Sequence, residues 1–397
     1  MLYNDKTMIR LSTDQRKTLE ILLDWYKSKD KSQFITLGGY AGTGKTTLIA
    51  FFRKRIHKIK KKLKVSFVSF TGKGARVLRV NLTKHNALFK NDYVGTIHSL
   101  IYAPITNNKE EIIGWEKKNS VPYDLIIVDE ASMVNQTIWN DLTSYNIPII
   151  AVGDHGQLAP IQGSFNLMEE PMIRLEEIHR QAKDSPIITV SILARERGFI
   201  PQREYAPKVK KISRKELSSG EEIEDLLGSF NEDTLLLCGY NYTRIKLNTH
   251  IRNTKGYESQ DPEVGDRVIC LRNNHTDQIY NGMIGTISSL ESDQDKEWYF
   301  AEILFDDDGH LFKGLISKKQ FNALSALNFT KDRKTIMKGD LFDFGYALTV
   351  HKAQGSQAKR VILFEERFRQ MDDEMWSRWL YTAVTRAEEE LFIVSSR

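Results

Sequence analysis

The chain has 397 residues, 41% apolar and 27% charged, with 57 basic side chains against 52 acidic ones and a net charge of +5. That composition is close to the globular average, the length suits two or three domains, and no stretch reaches the roughly 18 uninterrupted apolar residues of a membrane helix. The N-terminal stretch "MLYNDKTMIRLSTDQ" has no apolar core followed by small residues, so a secretory signal is not expected and a cytoplasmic location is. Cys238 and Cys270 are too few and too isolated for a disulfide framework or a zinc cluster and read as buried small apolar residues, while the modest positive charge permits a polyanionic partner without demanding one.

Short β-branched runs alternate with longer helical stretches. Strands are expected at 34–39, 65–70, 125–130 and 147–154, and a second set at 234–240, 344–350, 360–365 and 391–396. Continuous apolar runs of this length suit strands covered on both faces, so the fold class is α/β with two parallel-sheet domains. The run "FFRKRIHKIKKKLK" (51–64) is expected to be a helix with a solvated basic face. Residues 102–122 read as a small insertion in the first domain, with Asn107-Asn108 as a hairpin turn. From about 260 to 340 alternating strands with turn pairs at Asn281-Gly282 and Asp308-Gly309 predict a small antiparallel barrel inserted in the second domain.

Chemistry enters at "GGYAGTGKTT", Gly38 to Thr47, which fits G-x-x-x-x-G-K-[ST] between a strand and a helix. Gly42, Thr43, Gly44, Thr46 and Thr47 would cradle a triphosphate with backbone N–H groups at a helix N-terminus; Lys45 would reach the β and γ phosphates, and the Thr46 hydroxyl would ligate Mg²⁺. "YDLIIVDEASM" ends a buried strand with Asp129 and Glu130, which is costly unless a cation or a reacting water uses them; Asp129 would hold Mg²⁺ and Glu130 would polarise water. In "AVGDHGQLAP" Gln157 follows Asp154 and either closes a structural turn or hydrogen-bonds the γ-phosphate. "YALTVHKAQGSQ" (346–357) alone is a strand that breaks into a polar glycine turn.

Taken in order, the P-loop, "VDEAS" (128–132), "GDHGQLAP" (153–160), "HRQAKDSPI" (179–187), "TVHKAQGSQ" (349–357) and "LYTAVTRA" (380–387) resemble superfamily 1 helicases, and within these the RecD/Dda-like 1B branch. The resemblance implies two RecA-like domains: 1–170 with a 1B pin at about 102–122, and 171–258 with 341–397, carrying an SH3-like barrel at 259–340. It implies that Gln15 reads adenine, that Arg180 and Arg386 act on the γ-phosphate, and that Gln354 and Gly355 lie toward the nucleotide. Thr71, Lys73, Thr96 and His98 in the first domain, and Asn241, Thr349, His351 and Lys352 in the second, become candidate contacts to a nucleic-acid backbone; His98 equally reads as a satisfied core histidine. Trp115 in the pin either stacks on the last base pair as a wedge or covers core.

The activity implied is an ATP- and Mg²⁺-dependent DNA helicase that moves 5′ to 3′ along single strands and opens forks, acting as a monomer. The competing readings are a single-strand translocase or RNA-directed helicase of the same build, and a nucleotide-gated nucleic-acid-binding module without turnover.

Overall fold

The computed structural model describes residues 11–396 apart from 107–111, 160–164, 179–183, 217–218, 275–276, 278, 294–296, 307–308 and 328–337. The chain divides into two compact units, the first running to Phe70 and from Gly74 to Ser185, the second made of Thr71–Lys73 and Pro186–Arg397.

The first unit has strands β1 (Phe34–Gly39), β2 (Val65–Ser69), β3 (Tyr93–Thr96), β4 (Tyr102–Thr106), β5 (Ile112–Lys117), β6 (Leu125–Asp129), β7 (Ile149–Gly153) and β8 (Ile173–Leu175). Six of them form one parallel sheet in the order β3-β2-β6-β7-β1-β8. The central run Leu125-Ile126-Ile127-Val128 shows why: every residue is fully buried, and alternate side chains enter opposite cores. Leu125 and Ile127 pack with helices α1 (Thr13–Lys27) and α2 (Lys45–Ile59), which present Leu19, Leu22, Phe52 and Ile56. The opposite core holds Ile126 and Val128 with Ile138, Trp139 and Leu142. A period of two in which both sets are apolar therefore requires helical cover on both faces.

All four strands expected in this half are present, within two residues at either end. Two edge strands, β3 and β8, were not foreseen, because pieces of four and three residues carry too little pattern to stand out. β8 also moves the boundary. Its pairing with β1, Leu37 opposite Ile173 and Gly39 opposite Leu175, keeps the chain in the first unit beyond residue 170. β4 and β5 form a separate antiparallel hairpin where the insertion was expected; the Asn107-Asn108 turn lies outside the described residues.

The basic run at 51–64 is a helix over most of its length, but it is not a uniformly solvated face. Arg53 is fully buried and paired with Asp92, Nη2 to Oδ1 at 2.9 Å and Nε to Oδ2 at 3.0 Å. Asp92 also accepts the backbone N–H groups of Phe89 and Val65, so its carboxylate ties the loop before β3 to the start of β2.

The second unit contains β9 (Glu204–Ala206), β10 (Val209–Ser213), β11 (Thr234–Cys238), β12 (Arg267–Cys270), β13 (Ile284–Ser292), β14 (Trp298–Phe305), β15 (Leu311–Ser317), β16 (Phe342–Phe344), β17 (Ala347–Thr349), β18 (Ala358–Glu365) and β19 (Ala387–Ser395). One sheet runs β17-β11-β18-β19-β10-β9, parallel apart from the edge strand β9. The other is antiparallel, β15-β14-β13-β12-β16, and Ile316 of β15 makes an isolated bridge with Asp340, just before β16.

The single strand expected over 344–350 is two. Phe344 ends β16 in the antiparallel sheet and Ala347–Thr349 pairs with β11 in the parallel one. Between them sits Gly345, where a Cβ would stand 2.8 Å from the Val268 carbonyl carbon, so only a hydrogen fits at the crossing. The inserted sheet therefore extends to residue 344 rather than ending at 340. A buried polar weld secures the junction. From the helix Asn241–Thr254, Arg244 Nη1 meets Asp343 Oδ2 at 2.7 Å, Arg252 Nε meets Asp266 Oδ1 at 2.8 Å, and Asn248 Oδ1 accepts the Ala347 N–H at 2.7 Å. Both cysteines are buried as expected, and burial pushes the Cys270 thiol up to about 12. Among the described residues no helix is long and apolar enough to cross a membrane.

Asp92→Ala would leave the Arg53 guanidinium buried without its counter-charge, a loss of about 3–5 kcal/mol for a buried pair broken on one side. A clearly lowered urea midpoint for the variant, with Asp92→Asn intermediate, is the expected result.

Candidate nucleotide site and nucleic-acid surface

Between β1 and α2 the loop Tyr40–Gly44 turns tightly. Gly42 and Gly44 have φ of +80° and +73°, the left-handed region that glycine enters without steric cost. Gly39 packs so closely that a Cβ would lie 2.7 Å from Thr43 Oγ1, which donates to the Tyr40 carbonyl at 2.8 Å. α2 then begins at Lys45 with no side-chain cap and no acid in its first turn, leaving an N-terminus whose free N–H groups and dipole favour an anion. Lys45 Nζ lies over the loop, donating to the carbonyls of Gly39 at 2.6 Å and Tyr40 at 3.0 Å. Thr46 and Thr47 occupy the same first helical turn.

Gln15 is almost wholly buried, and its amide has two structural partners. Its Oε1 accepts the Ser12 N–H at 3.0 Å, completing a capping box at the start of α1, while Nε2 donates to the Thr43 carbonyl at 2.9 Å. In this structure Gln15 therefore joins α1 to the P-loop, rather than presenting a free amide to a base.

The ends of β6 and β7 supply the carboxylates. Asp129 is half-buried at the end of β6; burial raises its pKa, and this outweighs the opposing effects of the Glu130 N–H and the Lys45 charge. Glu130 adopts φ +55°, a left-handed conformation that costs a non-glycine residue about 1–2 kcal/mol. Ser69, at the end of β2, donates from Oγ to Glu130 Oε2 at 3.2 Å. Nothing in the sequence marked Ser69; its role follows from the β2–β6 register, which sets Ser69 opposite Asp129. One strand over, Asp154 Oδ1 accepts the Gly156 N–H at 3.0 Å and Oδ2 faces Gln157 Nε2 at 3.4 Å, so the turn is closed by its own side chains. Because β6, β7 and β1 are neighbours, the P-loop and both acidic turns leave the same edge of the sheet.

Among the candidate nucleic-acid contacts, Thr71 and Lys73 lie where β2 passes into the helix α3 (Gly72–Lys84) and group with the second unit. Thr96 differs from expectation. Its hydroxyl caps the helix α4 (Ile97–Ile101), accepting the Ser99 N–H at 3.1 Å, and the residue is buried, so it offers no free hydroxyl to a phosphate. His98 lies against Phe70 and Tyr102 at ring separations of 6.0 and 5.7 Å, and burial lowers its pKa, which favours the neutral imidazole expected of a packed histidine.

The β4–β5 hairpin is firmly rooted. Tyr102 donates to Asp141, Lys117 Nζ to Ser144 Oγ at 2.8 Å, and Tyr145 Oη to the Lys118 carbonyl at 2.8 Å. Trp115, opposite Pro104 on this hairpin, is 40% exposed, so it does not serve as buried core.

In the second unit the register Cys238–Thr349 brings the ends of β11 and β17 side by side. Asn241 starts its helix there, exposed, with Oδ1 accepting from Arg244 Nε at 3.2 Å. Thr349 is buried at the strand end, and His351 and Lys352 follow half-buried, both with pKa values lowered chiefly by burial. Gln354 is buried and Gly355 turns the chain at φ +77°. Arg386 is buried too, its Nε donating to the Thr382 carbonyl at 3.0 Å and Nη1 to the Ser356 carbonyl at 3.3 Å, so it braces this turn. Arg180 lies outside the described residues. Sequence reading missed Glu366, whose carboxylate accepts the N–H groups of Gly239 and Tyr240 and the Thr243 hydroxyl, fixing the N-terminus that carries Asn241.

Comparison with known proteins agrees with this layout. Residues 10–201 match a family described as AAA domain, and residues 344–394 match the UvrD-like helicase C-terminal domain. The ATP-dependent RecD2 DNA helicase of Deinococcus radiodurans is 25% identical over 389 residues, covering 92% of this chain and 47% of that protein; the chain thus spans about half the length of that relative. The RecBCD enzyme subunit RecD of Buchnera aphidicola is 24% identical, covering 92% of this chain and 71% of its own. A Bacteroides Pif1 helicase in complex with ADP-AlF3 and single-stranded DNA shares the fold with a TM-score of 0.56 at 18% identity, covering 98% of this chain and 93% of that one. With its motifs in order from the P-loop to "TRA", the chain is similar over most of its length to helicases of the RecD type and shares its fold with Pif1.

Proposed function

We propose that the chain is an ATP-dependent DNA helicase that translocates 5′ to 3′ on single-stranded DNA and separates duplex at forks. The observation that carries this reading is the convergence of the P-loop, Asp129-Glu130 and Asp154-Gln157 on one edge of three adjacent strands, where a triphosphate and an attacking water can be held together. RecD2 is by its name a DNA helicase, and a related Pif1 was solved bound to single-stranded DNA. The 5′ to 3′ direction follows the 1B family.

In this reading Lys45, with Gly42, Thr43, Gly44 and Thr47, receives the phosphates at the α2 N-terminus. The residues fit a divalent cation, since the Asp129 carboxylate leaves the end of β6 on the same sheet edge as the P-loop and Thr46 sits on the first helical turn after that loop. Bound Mg²⁺ would supply neutralisation of the phosphate charge. Glu130, held by Ser69, orients and polarises the water; Gln157 senses the γ-phosphate, and Arg180 and Arg386 stabilise the transferring group. Gln15 positions the P-loop and borders the adenine site. His98 in the first unit, and Thr71, Lys73, Asn241, Thr349, His351 and Lys352 in the second, are the residues that would contact the strand, and Gln354 and Gly355 those that would approach the nucleotide. The five-stranded antiparallel sheet of the second unit, with the Ile316–Asp340 bridge between its edges, supports reading it as an SH3-like 2B barrel, and the rooted hairpin supports a 1B pin. The protein works as a monomer in the cytoplasm.

Glu130→Gln keeps the shape but not the charge, so ATP binding persists while DNA-stimulated hydrolysis falls about 10²–10⁴-fold, the usual worth of a positioned acid–base group. Unchanged turnover would instead favour a water activated elsewhere. Duplexes with a 5′ tail should be unwound with ATP while those with a 3′ tail are not; equal unwinding of both would sink the polarity. Trp115→Ala should retain DNA-stimulated hydrolysis and lose unwinding of the 5′-tailed fork, whereas loss of both activities would mark Trp115 as structural.

A further inference from the structure

At the end of α1 and α2 away from the P-loop, about 20 Å along the helix from Lys45 at 1.5 Å per residue, the first unit carries a groove that none of the helicase motifs explains. Its volume is about 320 Å³ and its apolar lining is Leu23, Tyr26 and Ile56 at the floor with Ile59 at the edge. Three of these are buried, but Ile59 is 55% exposed, so an apolar side chain stands open at the mouth. Lys27, Lys29, Lys31 and Lys60 form the rim. Two of these lysines converge on one ring, Lys31 Nζ at 5.4 Å and Lys60 Nζ at 5.1 Å from the centre of Tyr26. Lys58, Lys61, Lys62 and Lys64 continue the positive surface from the end of α2 into β2. Local counter-charge is thin: Asp24 meets Lys27 at 3.8 Å with both side chains solvated, Asp30 lies in the next loop, and Asp124 accepts the Lys64 backbone N–H.

We propose that this groove docks an acidic peptide segment of a partner protein through one or two apolar side chains flanked by carboxylates. The rim supplies charge complementarity, and cations sharing an aromatic ring lose mutual repulsion when an anion joins them. The floor decides between two polyanions. A DNA backbone offers charge but no side chain to cover Ile59, whereas an acidic peptide offers both. Such docking leaves the P-loop edge open, so a partner could be carried while the motor turns over.

The test uses the full chain and a fluorescein-labelled synthetic peptide, Asp-Glu-Asp-Asp-Leu-Phe, followed by fluorescence anisotropy. Binding in the micromolar range is expected, weakening several-fold when salt is raised from about 0.05 to 0.3 M. Lys29→Glu with Lys60→Glu should reduce affinity at least about tenfold, the equivalent of about 1.4 kcal/mol. Ile59→Ser, or replacement of Leu-Phe in the peptide by Ser-Ser, should each cost about threefold or more, in line with the loss of a partly buried apolar contact. DNA-stimulated hydrolysis should be unchanged in all these variants, which also reports that they are folded. An affinity indifferent to the lysine reversals, or to loss of the apolar pair, would overturn the proposal. So would a short blunt duplex that binds in place of the peptide and is lost in the lysine variant, which would make the face a DNA contact.

Discussion

Strands covered on both faces have nowhere to carry polar chemistry except where they end. In the first unit β6 is apolar and fully enclosed from Leu125 to Val128, so its first available position for a carboxylate is Asp129. The same constraint places Asp154 after β7 and the glycine loop after β1. Parallel pairing then points these exits in one direction, and adjacency in the sheet brings them together. The site is thus a result of the burial pattern before it is a set of motifs, and burial also sets its electrostatics by raising the Asp129 pKa.

How the supporting residues are engaged divides the site into two kinds of part. Glu130 is held off the ordinary backbone geometry, and Ser69 fixes its carboxylate, an arrangement suited to a group that must be in place before substrate arrives. Thr96, Gln15 and Arg386 have their polar atoms committed to caps, loops and turns. For Gln15 and Arg386 the expected ligand contact would have to come from a rearranged side chain, or from the frame these residues hold.

The sequence made the central strands and the chemical motifs legible because both are local: an apolar run with its terminal acid, or a glycine loop with its lysine, can be read within ten residues. What escaped was non-local. β3 and β8 are strands only because β2 and β1 offer them edges. Arg53 looked like one cation among many in a basic helix, and only the fold brings Asp92, 39 positions later, to its guanidinium. Ser69 and Glu366 gain their roles from partners 61 and well over 100 residues away. The apolar run at 344–350 looked continuous because hydropathy does not distinguish two sheets that share a chain; the steric demand at Gly345 does.

Asp266 draws these threads together in the second unit. Fully enclosed, it accepts from Arg252 of the helix Asn241–Thr254, from the Tyr346 hydroxyl beside β17, and from the Glu263 backbone at the entry to the inserted sheet. The insertion is therefore not a detachable module. Its polar root belongs to the helix that presents Asn241, and any transplantation of this sheet between relatives would have to carry Arg244, Asn248 and Arg252 with it, or leave buried charge on both sides of the seam.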